Sequence, residues 1–286
     1  MAILAALGYR LGAEPFVEGL RRTEPWTLAA ALAITAVTTW CCARRWSLLA
    51  ERLEVAVPVG AAYQACYRAQ FLNATLPGGI VGDVHRAVQH GRDAGAMARG
   101  VRSVVWDRAT GQLVQVGLAI AAVPLLPGSL RAPVLWTLAV VAVAVLTAVM
   151  TEFRMLFGAA GVWQRAVLLS AVAACGHLVV FLIAARAVGV DIPAVQVIAL
   201  GLVVMLASAI PLNVAGWGPR EGAAAWVFGA AGLGAGTGLE VAVAYGVMSL
   251  VATLPGALML RGRTATERPD PAPVAVPAGV GVPAHG

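Results

Sequence analysis

Two short segments set acids beside arginines on a backbone broken by proline and glycine. The first reads Leu76-Pro77-Gly78-Gly79-Ile80-Val81-Gly82-Asp83-Val84-His85-Arg86. The second reads Ile210-Pro211-Leu212-Asn213-Val214-Ala215-Gly216-Trp217-Gly218-Pro219-Arg220-Glu221-Gly222. Proline stops a helix by removing an N–H and crowding the preceding turn. Glycine lets the freed backbone turn and lets a ligand come close, which makes Gly216 and Gly218 candidates for backbone approach. An arginine binds a phosphate or carboxylate through two parallel hydrogen bonds. Convergence of Arg86, Arg108 and Arg220, with Arg68 as a further cation near the first break, would make an anion site. Asp83, Asp107 and Glu221 would orient those arginines and partly neutralise them while the site is empty. If Ala223 onward is helical, Pro219–Glu221 lies at its entry, where free N–H groups and the helix dipole favour an anion.

Each feature also has a plainer reading. Gly/Pro breaks in membrane helices make kinks, and Arg86 and Arg108, taken singly, read as topology anchors. Arg220-Glu221 is harder to set aside, because a charged pair between two apolar runs is costly without a role. Asp83-Val84-His85 lacks a second cluster at ligand spacing, so no metal is expected. His177 reads as a packed histidine, Arg186 as a snorkelling residue, and Tyr63 and Tyr67 as packing.

The surrounding elements are membrane-like. The 286 residues are 60% hydrophobic and 12% charged, with mean hydropathy +0.82, against roughly 25% charged in soluble domains. Apolar runs cover Trp26–Ala43, Gly111–Leu126, Val134–Met150, Ala166–Val188, Val195–Leu212, Ala223–Gly238 and Val241–Leu260. Met1–Gly8 reads as the end of another transmembrane helix, and the expectation is either a start further upstream or an incomplete first helix. The run Val55–Leu76 is less apolar and carries Tyr63, Gln64, Tyr67, Arg68, Gln70 and Asn73 over more than half a helix circumference. A helix that polar does not face lipid on all sides. The expected fold is therefore all-α and polytopic, with about eight transmembrane helices plus a re-entrant or interfacial segment at 55–76. Residues 1–263 form the membrane domain, and the Pro/Ala/Gly-rich 264–286 are expected to be a disordered tail.

All 20 basic residues are arginines, and the net charge is +6. They sit mainly between apolar runs, as topology anchors do, rather than on a soluble face interleaved with aromatics. Nucleic-acid binding is therefore not expected. Arg44, Arg45 and Arg52, the polar stretch Asp83–Arg108, the connector with Arg154 and Arg165, and the tail with Arg261, Arg263 and Arg268 all read as cytoplasmic. That assignment holds only if 55–76 does not make a full crossing. The four cysteines lie in apolar stretches without metal or redox spacing. No GxSxG elbow, P-loop or Rossmann signature is present, so the residues favour binding over catalysis and no cofactor is expected.

The ordered motifs resemble the transmembrane region of the lysylphosphatidylglycerol synthase family, also described as flippase-like. Asn73-Ala74-Thr75-Leu76-Pro77, then Gly82-Asp83 and Arg86, resembles its N-x-x-x-P … G-E-x-x-R pattern. Asp107-Arg108 is similar to its E-R element. Pro211…Gly216-Trp217-Gly218-Pro219-Arg220-Glu221 is similar to its P-x-x-x-G-G-x-G-x-x-E element, and Leu254-Pro255-Gly256 to its closing L-P-G. Asp83 and Asp107 stand where glutamate is commoner, and Trp217 and Pro219 alter the second break. After Leu260 too little remains for the soluble aminoacyl-transfer domain of full synthases. The resemblance adds Asn73 to the site residues. It implies a cell-membrane protein with a cytoplasmic C-terminal tail that binds and translocates an anionic phospholipid or lipid-linked intermediate. The alternatives are a membrane-embedded enzyme of head-group modification, or an accessory subunit of a separate transferase.

Overall fold

The computed structural model of the chain describes residues 9–149, 161–208 and 217–260. Its named helices are α1 (Glu14–Arg21), α2 (Pro25–Arg52), α3 (Val59–Thr75), α4 (Val81–Asp93), α5 (Met97–Ala122), α6 (Gly128–Val149), α7 (Val162–Val188), α8 (Ala194–Ser208), α9 (Pro219–Ala230), α10 (Ala235–Thr253) and α11 (Pro255–Leu258). A 3-10 turn, Val123–Leu125, follows α5. Among the described residues, three stretches are long and apolar enough to cross a membrane: Pro25–Arg52, Val162–Val188 and Ala235–Leu258. The chain is an all-α, membrane-embedded protein. Met1–Gly8, Gly216 and the segment 264–286, each singled out in the sequence, lie outside the described residues.

Prolines punctuate the helices. Pro25 and Pro219 sit in first turns, where no intrahelical N–H is needed. Gly189, at φ +95°, ends α7 in the left-handed conformation.

Three expectations about the elements need correction. α2 does not end near Ala43 but continues to Arg52, so Arg44 and Arg45 lie within the helix rather than in a flanking loop. The polar stretch Asp83–Arg108, to which the sequence assigned no helix, holds α4 and the first turns of α5. Ala223–Gly238 is not one span. α9 stops at Ala230, and a turn through Gly232 and Gly234, both at positive φ, leads into α10. The 12 residues of α9 reach about 18 Å, against about 30 Å of hydrocarbon. Every residue around that turn is small or apolar, so hydropathy alone carries no trace of it.

The helices form two similar quartets. In α2–α5 the lengths run 28, 17, 13 and 26 residues. In α7–α10 they run 27, 15, 12 and 19. Each quartet is long–short–short–long, with its Gly/Pro segment between the short members. The packing repeats as well. α2 lies against α5 as α7 lies against α10, and α2 lies against α10 as α7 lies against α5. Likewise α3 meets α10 as α8 meets α5. Exchanging the quartets maps this scheme onto itself, as internal repeats of membrane transporters do. The broadest seam joins α2 to α7. There Gly176 sits directly against Thr38, beside buried Thr35 and Ala173. Small residues bring membrane helices close enough for dispersion to hold them.

Two apolar cores result. One joins the second half of α5 to α7, α8, α9 and α10 through residues such as Val116, Phe181, Val204, Phe228 and Met248. Phe181 stacks edge-on to Phe228 at 6.5 Å and tilted on Tyr245 at 5.8 Å. The other core joins the end of α2 to α3, α4 and the start of α5 through Trp46, Leu49, Cys66, Val104 and Trp106. On α5 the boundary between them falls at Asp107–Gln115, where polar side chains gather.

Within the first quartet, Gly82 closes the α3–α4 break. Its N–H donates to Asn73 Oδ1 at 2.7 Å, and a Cβ there would fall on the Ala69 carbonyl. Because that obstacle is backbone, relief requires moving α4. Gly82→Ala is expected to cost about 1–3 kcal/mol by overpacking, read as a lowered denaturant midpoint in detergent. An unchanged midpoint would show that the α3–α4 approach is not tight.

Candidate functional site

The first break delivers its charges to a largely buried network spanning five helices. Asp107 on α5 accepts from Arg45 Nε on α2 at 2.7 Å and from Arg86 Nη2 on α4 at 3.0 Å. Arg45 Nη1 also donates to Ser170 Oγ on α7 at 2.8 Å, tying the two quartets together. Arg86 donates to Asp83 Oδ1 at 3.1 Å and to Cys66 Sγ at 3.1 Å, and its guanidinium lies 4.6 Å over the Trp46 ring. Asp83 further accepts from Asn73 Nδ2 at 2.7 Å and pairs with Arg108 Nη2 at 3.2 Å. Arg45, Arg86 and Asp107 are all buried, whereas the Arg108 side chain is 46% exposed. Three arginines share two aspartates, so the network carries one surplus positive charge. Arg108 is its accessible edge.

That edge borders a cavity of about 240 Å³ between the quartets. Arg108, Gln112 and Gln115 of α5 form one wall. Their spacing puts them on one helix face. His177 of α7, Ser208 at the end of α8 and Tyr245 of α10 complete the polar lining. The volume is smaller than a typical drug-sized pocket of about 300–1,000 Å³, and so suits a small polar group.

The second break folds differently. Gly218 adopts φ +127°, a conformation closed to other residues, and turns the chain into α9. Its N–H donates to Glu221 Oε2 at 2.6 Å, so Glu221 caps the helix entry. The other carboxylate oxygen accepts from Arg220 Nε at 2.8 Å and Nη2 at 2.6 Å. Glu221 is fully buried. Arg220 lies 5.4 Å from the ring centres of both Trp217 and Tyr245. Gly246 makes room for it, since a Cβ there would strike Arg220 Nη2.

The sequence-derived residues are therefore divided. Asp83, Arg86, Asp107, Arg108 and Asn73 meet in one network. Arg68 lines a separate cavity with Arg86 and bonds Gln89 at 2.7 Å. Contrary to expectation, Arg220 does not join Arg86 and Arg108 in one cluster. It is neutralised by its own neighbour and stands behind Tyr245, whose ring borders the cavity that Arg108 lines. Gly218 serves the cap, and Gly216 lies outside the described residues. Reasoning from sequence missed Arg45, which looked like a loop anchor beside Arg44. It also missed Gln112, Gln115 and Tyr245. The first two were detectable, because they continue the face of Arg108 through an otherwise apolar helix.

A search of curated proteins finds no match to the chain. The family model for the lysylphosphatidylglycerol synthase TM region matches residues 1–256. The chain belongs to the lysylphosphatidylglycerol synthase TM region family, a family of lipid-handling membrane proteins.

Proposed function

We propose that the protein captures the anionic head group of a phospholipid or lipid-linked intermediate between its two quartets and moves it across the cytoplasmic membrane. The observation that carries this reading is the polar cavity bordered by Arg108, Gln112, Gln115, Ser208 and Tyr245, set against the apolar core of the second quartet and joined through Arg108 to a network with surplus positive charge. A charge-bearing cavity at membrane depth is costly unless it serves a passenger. Arg108 binds the phosphate, the glutamines and Tyr245 bond the polar remainder, and Asp83 holds Arg108 when the cavity is empty. Arg220 sets the position of Tyr245 from behind.

The proposed topology differs from about eight simple crossings. Helices α2, α5, α6, α7 and α10 cross fully, while α3–α4 and α8–α9 are re-entrant hairpins from opposite faces. This places Arg44, Arg52, Arg92, Arg99, Arg102, Arg154 and Arg165 and the C-terminal tail in the cytoplasm, in accord with the positive-inside rule. It also makes the quartets inverted repeats, which supports alternating access about the α2–α7 seam. Purified wild-type protein is expected to retain anionic phospholipid, identified by mass spectrometry, and Arg108→Gln protein to lose it. Retention of only zwitterionic lipid by both would end the reading.

The family description favours a second reading, since it refers to part of a synthase. In it the chain serves head-group modification as an accessory to a separate transferase. Co-purification of such an enzyme would support that role.

A further inference from the structure

A second cavity, of about 360 Å³, lies within the first quartet, away from the space between the quartets. Its polar walls are Gln64 and Arg68 of α3 and Arg86, Gln89 and His90 of α4, with Trp46 of α2 as an aromatic wall. Its rim is formed by Ala56–Pro58 before α3 and by Asp93 and Ala94 at the end of α4. Both lie at the arginine-rich end of the quartet, opposite the Gly/Pro break.

Two buried atoms of its lining residues have no hydrogen-bond partner among the described residues: Arg86 Nε and His90 Nε2. Arg86 is 4% exposed and His90 8%. The two lie one helical turn apart on α4, so they share a face. Both also touch Trp46, Arg86 through its guanidinium and His90 edge-on at 5.1 Å. Burial pushes the His90 pKa down, while its bond to the Val55 backbone works against that shift. Burial thus favours the neutral imidazole. With its other nitrogen engaged by Val55, Nε2 is a bare acceptor. Arg86 Nε–H is a bare donor. An unsatisfied buried donor or acceptor is costly, and one ligand with complementary atoms would relieve both.

We infer that this cavity is a binding site for an oxyanion that also carries a hydroxyl. An oxygen of the ligand accepts from Arg86 Nε–H and from the Arg68 guanidinium. Its hydroxyl donates to His90 Nε2, and the Gln64 and Gln89 amides complete the shell. Protonated phosphate has this chemistry, and so does a phosphodiester head group ending in glycerol. Both atoms are buried, so the two side chains must turn toward the cavity to make these bonds.

The test is isothermal titration of the full chain in detergent at pH 7 with inorganic phosphate, sulfate and dihexanoyl phosphatidylglycerol. Sulfate has the oxyanion but no hydroxyl. Phosphate is expected to bind at least about tenfold tighter than sulfate. His90→Leu should abolish that preference, and His90→Gln, which keeps an acceptor, should preserve it. Binding of the lipid but not phosphate, with the same loss in His90→Leu, would assign the site to a lipid source. Absence of binding by both, or equal affinity for phosphate and sulfate in the wild type, would overturn the inference. The comparison between anions needs no variant to fold. Transport failure on the other reading would leave this result untouched.

Discussion

Asp107→Leu is expected to destabilise the protein by about 3–5 kcal/mol, the largest stability effect of any single substitution in the network. Asp107 is the shared acceptor for Arg45 and Arg86, both buried. Leucine fills similar space but, among the described residues, leaves Arg45 with the Ser170 hydroxyl and Arg86 with Asp83 and a cysteine sulfur. Most of the cost is the uncompensated charge of Arg45, not the lost attraction. Arg45→Met added to Asp107→Leu should therefore recover part of the loss, since an apolar pair of similar volume replaces a buried ion pair at little cost. Unfolding midpoints in detergent for the two single variants and the double variant measure this coupling. Additive losses would show that the two residues do not depend on each other.

Arg108→Gln is expected to do the opposite: to leave the fold and remove the function. Arg108 is half-exposed, and its pair with Asp83 is worth at most about 1 kcal/mol. Asp83 keeps Asn73 and Arg86 without it. Loss of a charge-assisted bond to a head group costs about 1.5–3 kcal/mol, or roughly ten- to a hundredfold in affinity. Melting should stay near wild type while flux of an anionic lipid falls at least about tenfold.

How much of this was legible in the sequence depends on what each signal measures. The membrane class, the two breaks and the acid–arginine pairs were legible, because proline, glycine and charge act locally. The division of Ala223–Gly238 was not, because a Gly/Ala-rich turn has the same hydropathy as the helices it joins. The role of Arg45 was hidden because an arginine after an apolar run reads as an anchor, and only Asp107, 62 positions away in the chain, reveals it as buried. The expected union of Arg86, Arg108 and Arg220 failed for a related reason. Glu221, adjacent to Arg220, both caps α9 and takes that arginine's charge. The repeat was visible only as two breaks. Its partner exchange is a property of packing between quartets, which no local window contains.

The central claim is that the cavity selects a head group by negative charge through Arg108. The most direct measurement compares flux of labelled phosphatidylglycerol and phosphatidylcholine in vesicles containing wild-type or Arg108→Gln protein. Wild-type protein is expected to move phosphatidylglycerol in preference to phosphatidylcholine, and Arg108→Gln to lose that preference with its fold intact. Equal flux of the two lipids in the wild type, or an unchanged preference in Arg108→Gln, would contradict it.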